Sequence, residues 1–407
     1  MKKGYLSQYF QGIAVKNLSA VEADPVKSNQ HELNGVSGLR KILGEPNDKA
    51  RYQTEFLYLT DHDDDPVSEE GLLTWYDARQ KARVKRGVMR SEYRLYFPAN
   101  TVMQYATEGD VLVIAKKTDD TLLAIIAEAD TTISRQVLWL FGFNDALHPG
   151  FSIREELESE QDKIEFISSV ILEHIGIVVE KTEATFLEEM LIKFNSAFPT
   201  TKIFSSYARS TLPKLNPRDG QDYVLMAWME REEILFRTLE KHLIGERLSK
   251  GFDDDVDGFL SFSLSVQNRR KSRAGLALEN HLEFLFQGCG VRYARTPTTE
   301  NKAKPDFIFP GADEYHDSGF DETLLTMLGV KSSCKDRWRQ VLTEADRIKK
   351  KHLLTLEAAI SINQMEEMRV KQLQLVVPKS LHKTYPARQQ DWLMSVENFT
   401  EFVLARQ

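Results

Sequence analysis

Short apolar runs broken by polar turns dominate the first third of the chain. Tyr93-Arg94-Leu95-Tyr96-Phe97 alternates and is closed by Pro98; Asp110-Val111-Leu112-Val113-Ile114-Ala115 and Leu122-Leu123-Ala124-Ile125-Ile126-Ala127 follow, and Val137-Leu138-Trp139-Leu140-Phe141 reads as one more strand. Such runs predict a β-rich unit over residues 1–150, a small barrel or sandwich. Over 151–185 the period changes: Ile164, Ile167, Ile171 and Ile175 recur at helical spacing among charged residues, which predicts a helical connector. From 186 to 407 the pattern is mixed. It predicts helices over 223–249 and 268–287, the second with Ala274, Leu278, Leu282 and Leu285 on one stripe. Strands are expected near 290–294, 305–309 and 325–331, then a helix over 336–351. A last buried strand, Leu373-Gln374-Leu375-Val376-Val377, stops at Pro378. This order describes a small sheet with helices on its faces.

Composition narrows the class. A chain of 407 residues favours two domains, and 42% apolar with 28% charged residues is globular rather than disordered. No apolar run approaches the roughly eighteen residues of a membrane span. Met1-Lys2-Lys3-Gly4-Tyr5 leads into no apolar signal core, and Cys289 and Cys334 have no metal spacing, so a reducing cytoplasm is expected. The net charge of −8 does not itself suggest nucleic acid, but the positive charge is clustered. One run holds Arg79, Lys81, Arg83, Lys85, Arg86, Arg90 and Arg94; another reads Arg269-Arg270-Lys271-Ser272-Arg273. Both lead into predicted regular elements and are candidate contacts to a DNA backbone. The acidic run from Asp61 to Asp65 is expected to be a solvated loop.

The candidate chemistry lies further along. Asp306 follows Lys304-Pro305 at a strand edge, Lys331 ends the strand Met327-Leu328-Gly329-Val330-Lys331, and Glu344 stands thirteen residues later. Two carboxylates for a hard cation and a lysine beside the attacking water suit a metal-dependent phosphodiesterase. Many nucleases carry an acid two residues before such a lysine; here that residue is Gly329, and the second acid can come from the following helix. On that helix Glu344 and Arg337, seven residues apart, are expected to share a face. Glu279, beside Leu278 and Leu282, is a candidate outer ligand. Between the lysine and the glutamate, Lys335-Asp336-Arg337 offers the groups that read guanine and cytosine edges. Taken singly, each of these residues has a plain structural explanation as a turn, solvated or ion-paired residue; the order of the set is what points to a nuclease.

At these residues the chain resembles the EcoRII-type restriction endonucleases. Asn268-Arg269-Arg270-Lys271-Ser272-Arg273-Ala274-Gly275, Lys304-Pro305-Asp306-Phe307, Lys335-Asp336-Arg337-Trp338-Arg339-Gln340 and Val376-Val377-Pro378-Lys379-Ser380-Leu381-His382-Lys383 carry the likeness, which runs from about 260 to 390. The resemblance implies a catalytic PD-(D/E)XK domain over 186–407 with Mg²⁺ as cofactor. It implies Asp306 and Glu344 as metal ligands, Lys331 polarising water or phosphate, and Glu279 as supporting acid. It further implies that Lys335, Asp336 and Arg337 read a CC(A/T)GG-type site in double-stranded DNA, with a homodimer as the acting species. Relatives flip the central bases; Trp228 and Arg231 are candidates for that pocket. A fainter likeness around Trp75-Tyr76-Asp77-Ala78-Arg79 implies an N-terminal DNA-binding pseudobarrel that regulates the nuclease. The alternatives are a defence or repair nuclease of relaxed specificity, which would not need the reader triplet, and an inactive DNA-binding regulator, which would lack part of the catalytic set.

Overall fold

The computed structural model describes residues 2, 4–23, 31–46, 49–62, 66–80, 85, 91–143, 150–179 and 184–407. The chain divides into two compact units: Met1–Val179 with Ala359–Gln364, and Glu180–Ala358 with Met365–Gln407.

The first unit is built on an eight-stranded curled sheet. Its strands are β1 (Phe10–Asn17), β2 (Glu32–Asn34), β3 (Ala50–Leu59), β4 (Val67–Asp77), β5 (Tyr93–Tyr96), β6 (Val111–Lys117), β7 (Leu122–Ala127) and β8 (Ser152–Arg154), in the order β2-β5-β4-β3-β7-β6-β1-β8. Among the described strands of this unit, only β3 and β7 pair in parallel. β6 and β7 are the predicted apolar runs; Val111–Ala115 and all of β7 are buried. The strand β4 alternates along its length, ending with Leu73, Trp75 and Asp77 buried, the pleat of a sheet with one covered face. The stretch predicted as a connector, 151–185, contains β8, which pairs with β1, and helix α2 (Phe166–His174). The isoleucines of the predicted helical stripe, Ile164, Ile167, Ile171 and Ile175, are all buried.

One strand prediction fails here. Residues 137–141 finish a helix, α1 (Thr132–Leu140), whose buried Ile133, Gln136, Val137 and Leu140 follow helical spacing. Two groups start it: the Thr131 hydroxyl accepts the Ser134 amide, and the Asp61 carboxylate accepts the amides of Thr132 (2.7 Å) and Ile133 (3.0 Å). Asp61 is therefore a buried cap and not part of a solvated loop; Asp63, Asp64 and Asp65 lie outside the described residues.

The second unit has helices α3 (Thr201–Ser210), α4 (Gln221–Ser249) and α5 (Val256–Cys289), which enclose Phe204, Tyr207, Leu235, Phe236 and Leu239. Its sheet has five strands: β9 (Ala294–Arg295), β10 (Phe307–Phe309), β11 (Thr326–Lys331), β12 (Lys351–Thr355) and β13 (Leu373–Val376). β9, β10 and β11 are antiparallel neighbours, while β11, β12 and β13 run parallel. This mixed α/β sheet is the arrangement expected of a restriction-endonuclease-like core. Phe286 of α5 packs edge-on against Phe307 and Phe309, each at 5.4 Å, and Phe399 of the C-terminal helix meets Phe309 at 5.7 Å.

The predicted helix over 336–351 is a second correction. A 3₁₀ turn, Lys335–Arg337, runs into a single α-turn, α6 (Trp338–Val341), and the chain then leaves helical geometry. Ala345 adopts φ +53°, in the left-handed region that an L-residue helix cannot contain. The apolar spacing still marks the core, since Trp338, Val341, Ala345 and Ile348 are all buried. Turns, rather than helix, place them there. The end of the predicted helix is also the first residue of β12, a strand hidden behind the run Lys349-Lys350-Lys351.

Candidate functional site

Adjacent strands bring the first two residues together. Asp306 lies immediately before β10, Lys331 ends β11, and the two strands pair with Phe307 opposite Leu328. One oxygen of the Asp306 carboxylate accepts the Val330 amide at 2.6 Å and the Lys331 ammonium at 3.3 Å. The side chains are 14% and 20% exposed, so this pair keeps an opening to solvent.

Gly329 faces α6. A Cβ at that position would lie 2.7 Å from Val341 Cγ2 and 3.0 Å from Cγ1. The usual strand acid therefore has no space here, because the strand face two residues before the lysine is filled by the turn that follows it.

Glu344 stands on the loop after α6, so it does not share a helical face with Arg337. Its Oε2 is buried and has no hydrogen-bond partner. Burial, and then the nearby charge of Asp306, push its carboxyl up to about 7, against the opposing pull of Lys331 and Lys351. Glu279, on α5, is raised by burial and by Asp306, and is pulled back by Arg295, whose guanidinium lies 3.0 Å away. The structure thus brings the four predicted catalytic residues into one electrostatic field. Carboxylates that resist ionising beside Asp306 are what a cation would relieve, and the buried, unpartnered Glu344 oxygen could serve as one of its ligands. Asp306 and Glu344 are the side chains that fit such a cation. Among the described residues no group of three or more His, Cys, Asp or Glu side chains is arranged to hold a metal ion.

The triplet predicted to read bases sits on the 3₁₀ turn directly after the lysine. Arg337 is exposed, and its guanidinium donates to the Ser333 carbonyl at 2.7 Å; Lys335 takes φ +35°. The Asp336 side chain lies outside the described residues. From below, the Glu357 carboxylate accepts the Cys334 amide at 2.6 Å and braces the turn.

Other predicted residues are engaged elsewhere. Arg270 donates to both oxygens of Glu240 at 2.7–3.0 Å. Arg273 is buried against Glu233 and over the Phe236 ring at 4.2 Å. Arg269 lies over Phe198 at 4.3 Å, and Lys271 is exposed. These guanidiniums knit α5 to its neighbours. Trp228 is 1% exposed and packs on His281 and Phe284. Arg231 donates to Thr211 Oγ1 at 2.8 Å and covers Phe186. In the first unit, Arg79 and Arg94 both pair with Glu92; Lys81 and Arg90 lie outside the described residues.

Three residues of the site escape sequence reasoning: Arg295, Glu357 and Lys351. Arg295 bridges Glu279 and Glu283, at 3.0 and 2.6 Å. Its only signal is a charge beside a Tyr-Ala pair in a two-residue strand. Lys351 hides in a lysine run, although the apolar His352-Leu353-Leu354 that follows marks it as the start of a strand.

Residues 236–400 match the family model described as EcoRII C terminal. The type II restriction enzyme EcoRII of Escherichia coli is 44% identical over 203 residues, covering 50% of this chain and 50% of that protein. The chain therefore matches about half the length of that curated relative. Among solved structures, metal-depleted Ecl18kI in complex with uncleaved, modified DNA gives TM-score 0.45 at 19% identity, covering 54% of this chain and 83% of that one. The restriction endonuclease PspGI–substrate DNA complex gives TM-score 0.42 at 17% identity, covering 51% and 93%. No helix among the described residues is long and apolar enough to cross a membrane.

Proposed function

We propose that this chain, whose residues 236–400 match the EcoRII C-terminal family model, is a type II restriction endonuclease. It hydrolyses phosphodiester bonds of double-stranded DNA at a CC(A/T)GG-like site, with Mg²⁺ as cofactor and as a homodimer. The observation that carries this reading is the convergence of Asp306, Lys331 and Glu344 from two strands and a loop, with Glu344 raised to about 7 by burial and then by its carboxylate neighbour.

Asp306 and Glu344 would hold the divalent ion, which when bound supplies Lewis-acid stabilisation of the phosphorane charge. Glu344 must first lose its proton. Lys331 keeps its ammonium at the mouth of the site, where it can orient a water or a phosphate oxygen. Asp306 fixes that ammonium while taking the Val330 amide, so both the lysine and the strand end are set by one carboxylate. Glu279, tied to Arg295, stands behind them as a second acid able to order water. Lys335, Asp336 and Arg337, one turn after the lysine, would contact base edges in the major groove, coupling recognition to chemistry through a few residues of backbone. The first unit is assigned as a DNA-binding regulatory domain. Digestion of a plasmid of known sequence with Mg²⁺, followed by mapping of the ends, tests the reading. Clustered ends at CC(A/T)GG-like sites are expected, and random nicking or no cutting would overturn it.

A further inference from the structure

A catalytic acid on an irregular loop needs something to hold the loop. In a helix, the carbonyl of Glu344 would accept the amide of residue 348. Here Ile348 donates to Ala345 instead, at 2.9 Å. The freed carbonyl of Glu344, and that of Ala345 at 3.0 Å, accept the ammonium of Lys351, the first residue of β12. Lys351 is 8% exposed. It stands where the neighbouring strand begins, and β12 is the parallel partner of β11, which carries Lys331. The loop is tied at two further points: the Asp346 amide donates to Glu300 at 3.2 Å, and Arg347 donates to the Asp317 carbonyl at 3.0 Å. Those ties lie after Glu344; at the residue itself the amide donates to the Val341 carbonyl at 3.3 Å, and the lysine holds its carbonyl.

A buried ammonium is costly unless its protons are taken, and an apolar residue would fill the start of a buried strand more cheaply. Burial lowers the pKa of Lys351, while Asp346, Glu344 and Glu300 act to keep the charge. The amine stands among acids and carbonyls, in a position where it substitutes for the missing helical hydrogen bonds.

We propose that Lys351 is a positioning residue of the active centre: it pins the Glu344–Ala345 turn and so fixes where the Glu344 carboxylate stands relative to Asp306 and Lys331. The inference rests on the reading of Glu344 as a cation-holding acid. It makes Lys351 act through Glu344 and never on DNA or on the reacting atoms.

A double-mutant cycle on the full chain tests it, read by calorimetric titration with Ca²⁺ and by the Mg²⁺ concentration giving half-maximal plasmid cleavage. Lys351→Met should weaken Ca²⁺ binding at least tenfold and raise the Mg²⁺ requirement in step. In a Glu344→Gln background the same change should alter Ca²⁺ affinity less than twofold. If Lys351→Met does not fold, Lys351→Arg takes its place, because a wider guanidinium cannot seat both carbonyls alike. Its loss should be smaller and should likewise vanish in the Glu344→Gln background. Unchanged Ca²⁺ affinity in the lysine variant, or an equal loss in both backgrounds, overturns the positioning role and leaves a plain structural tie. Wild-type Ca²⁺ affinity in Glu344→Gln alone overturns the metal-site reading itself, and this inference with it.

Discussion

The Lys331 ammonium lies 3.3 Å from the same Asp306 oxygen that accepts the Val330 amide at 2.6 Å. One carboxylate oxygen thus serves both the backbone and the lysine, leaving the other free for a cation. Asp306→Ala and Lys331→Ala should each abolish cleavage while leaving DNA affinity within about tenfold, or about 1.4 kcal/mol. Ca²⁺ in place of Mg²⁺ should support binding without cutting. Gel-shift and plasmid assays on the same preparations check this; normal cleavage by Asp306→Ala would falsify the assignment.

Glu344 gives a pH prediction. Its folded pKa is raised from 4.5 to about 7, so the folded state favours the protonated acid. The sign follows: ionising it costs nothing below the unfolded value, and the cost grows as pH rises through the interval up to about 7. Glu344→Gln, without metal, should therefore melt close to wild type at pH 5 and above it at pH 8. A unit of this size shifts by about 2–4 °C per kcal/mol. Partial solvent access keeps the effect to the low end. Equal melting differences at both pH values would show that burial does not strain this carboxyl.

Position 329 should reject the acid that many nucleases carry there. Gly329→Ala places a methyl 2.7 Å from Val341 Cγ2 and should cost about 1–3 kcal/mol by overpacking. Adding Val341→Ala should return much of that loss. Chemical denaturation of the three variants tests it; strictly additive losses would mean that the contact is not the cause.

Arg337→Ala should lose about 1–3 kcal/mol on the cognate duplex and relax discrimination at one G·C pair. Competition binding with single-base variants is the measurement. Equal weakening on cognate and random DNA would make Arg337 a phosphate contact.

For the first unit, restraint of the nuclease predicts that residues 186–407 alone cut single-site DNA faster than the full chain. A domain that only adds affinity predicts the reverse, most clearly at raised salt, where phosphate contacts weaken. Initial rates on one plasmid at two salt concentrations separate the two.

What the sequence made legible was chemistry joined to local pattern. Lys331 could be placed because its strand alternates, and Asp306 because Pro305 marks an edge. Helix and strand could not be told apart at Val137–Phe141, where a compact apolar run is the buried end of an amphipathic helix whose start is set by Asp61, far away in sequence. The loop holding Glu344 failed for a related reason. Helical spacing predicts which side chains are buried, and they are, but the backbone there is decided by Lys351 from the next strand. Internal partners of basic residues are equally hidden from pattern: Arg270, itself exposed, pairs with Glu240, and Arg273 is buried beside Glu233. Long-range partners, invisible to pattern, account for each case.

The order of the eight-stranded sheet bears on how the protein is made. β1 pairs with β6 on one side and β8 on the other, and has no earlier strand as neighbour. Everything between Asn17 and Val111 must leave the ribosome before its first partner exists, about 5–20 s at ordinary elongation rates. During that interval Ile13, Ala14 and Val15, fully buried in the finished sheet, belong to a strand with two open edges. Slowing translation upstream of Val111 should lengthen this exposure and favour aggregation of the nascent chain, while leaving the mature enzyme unaltered.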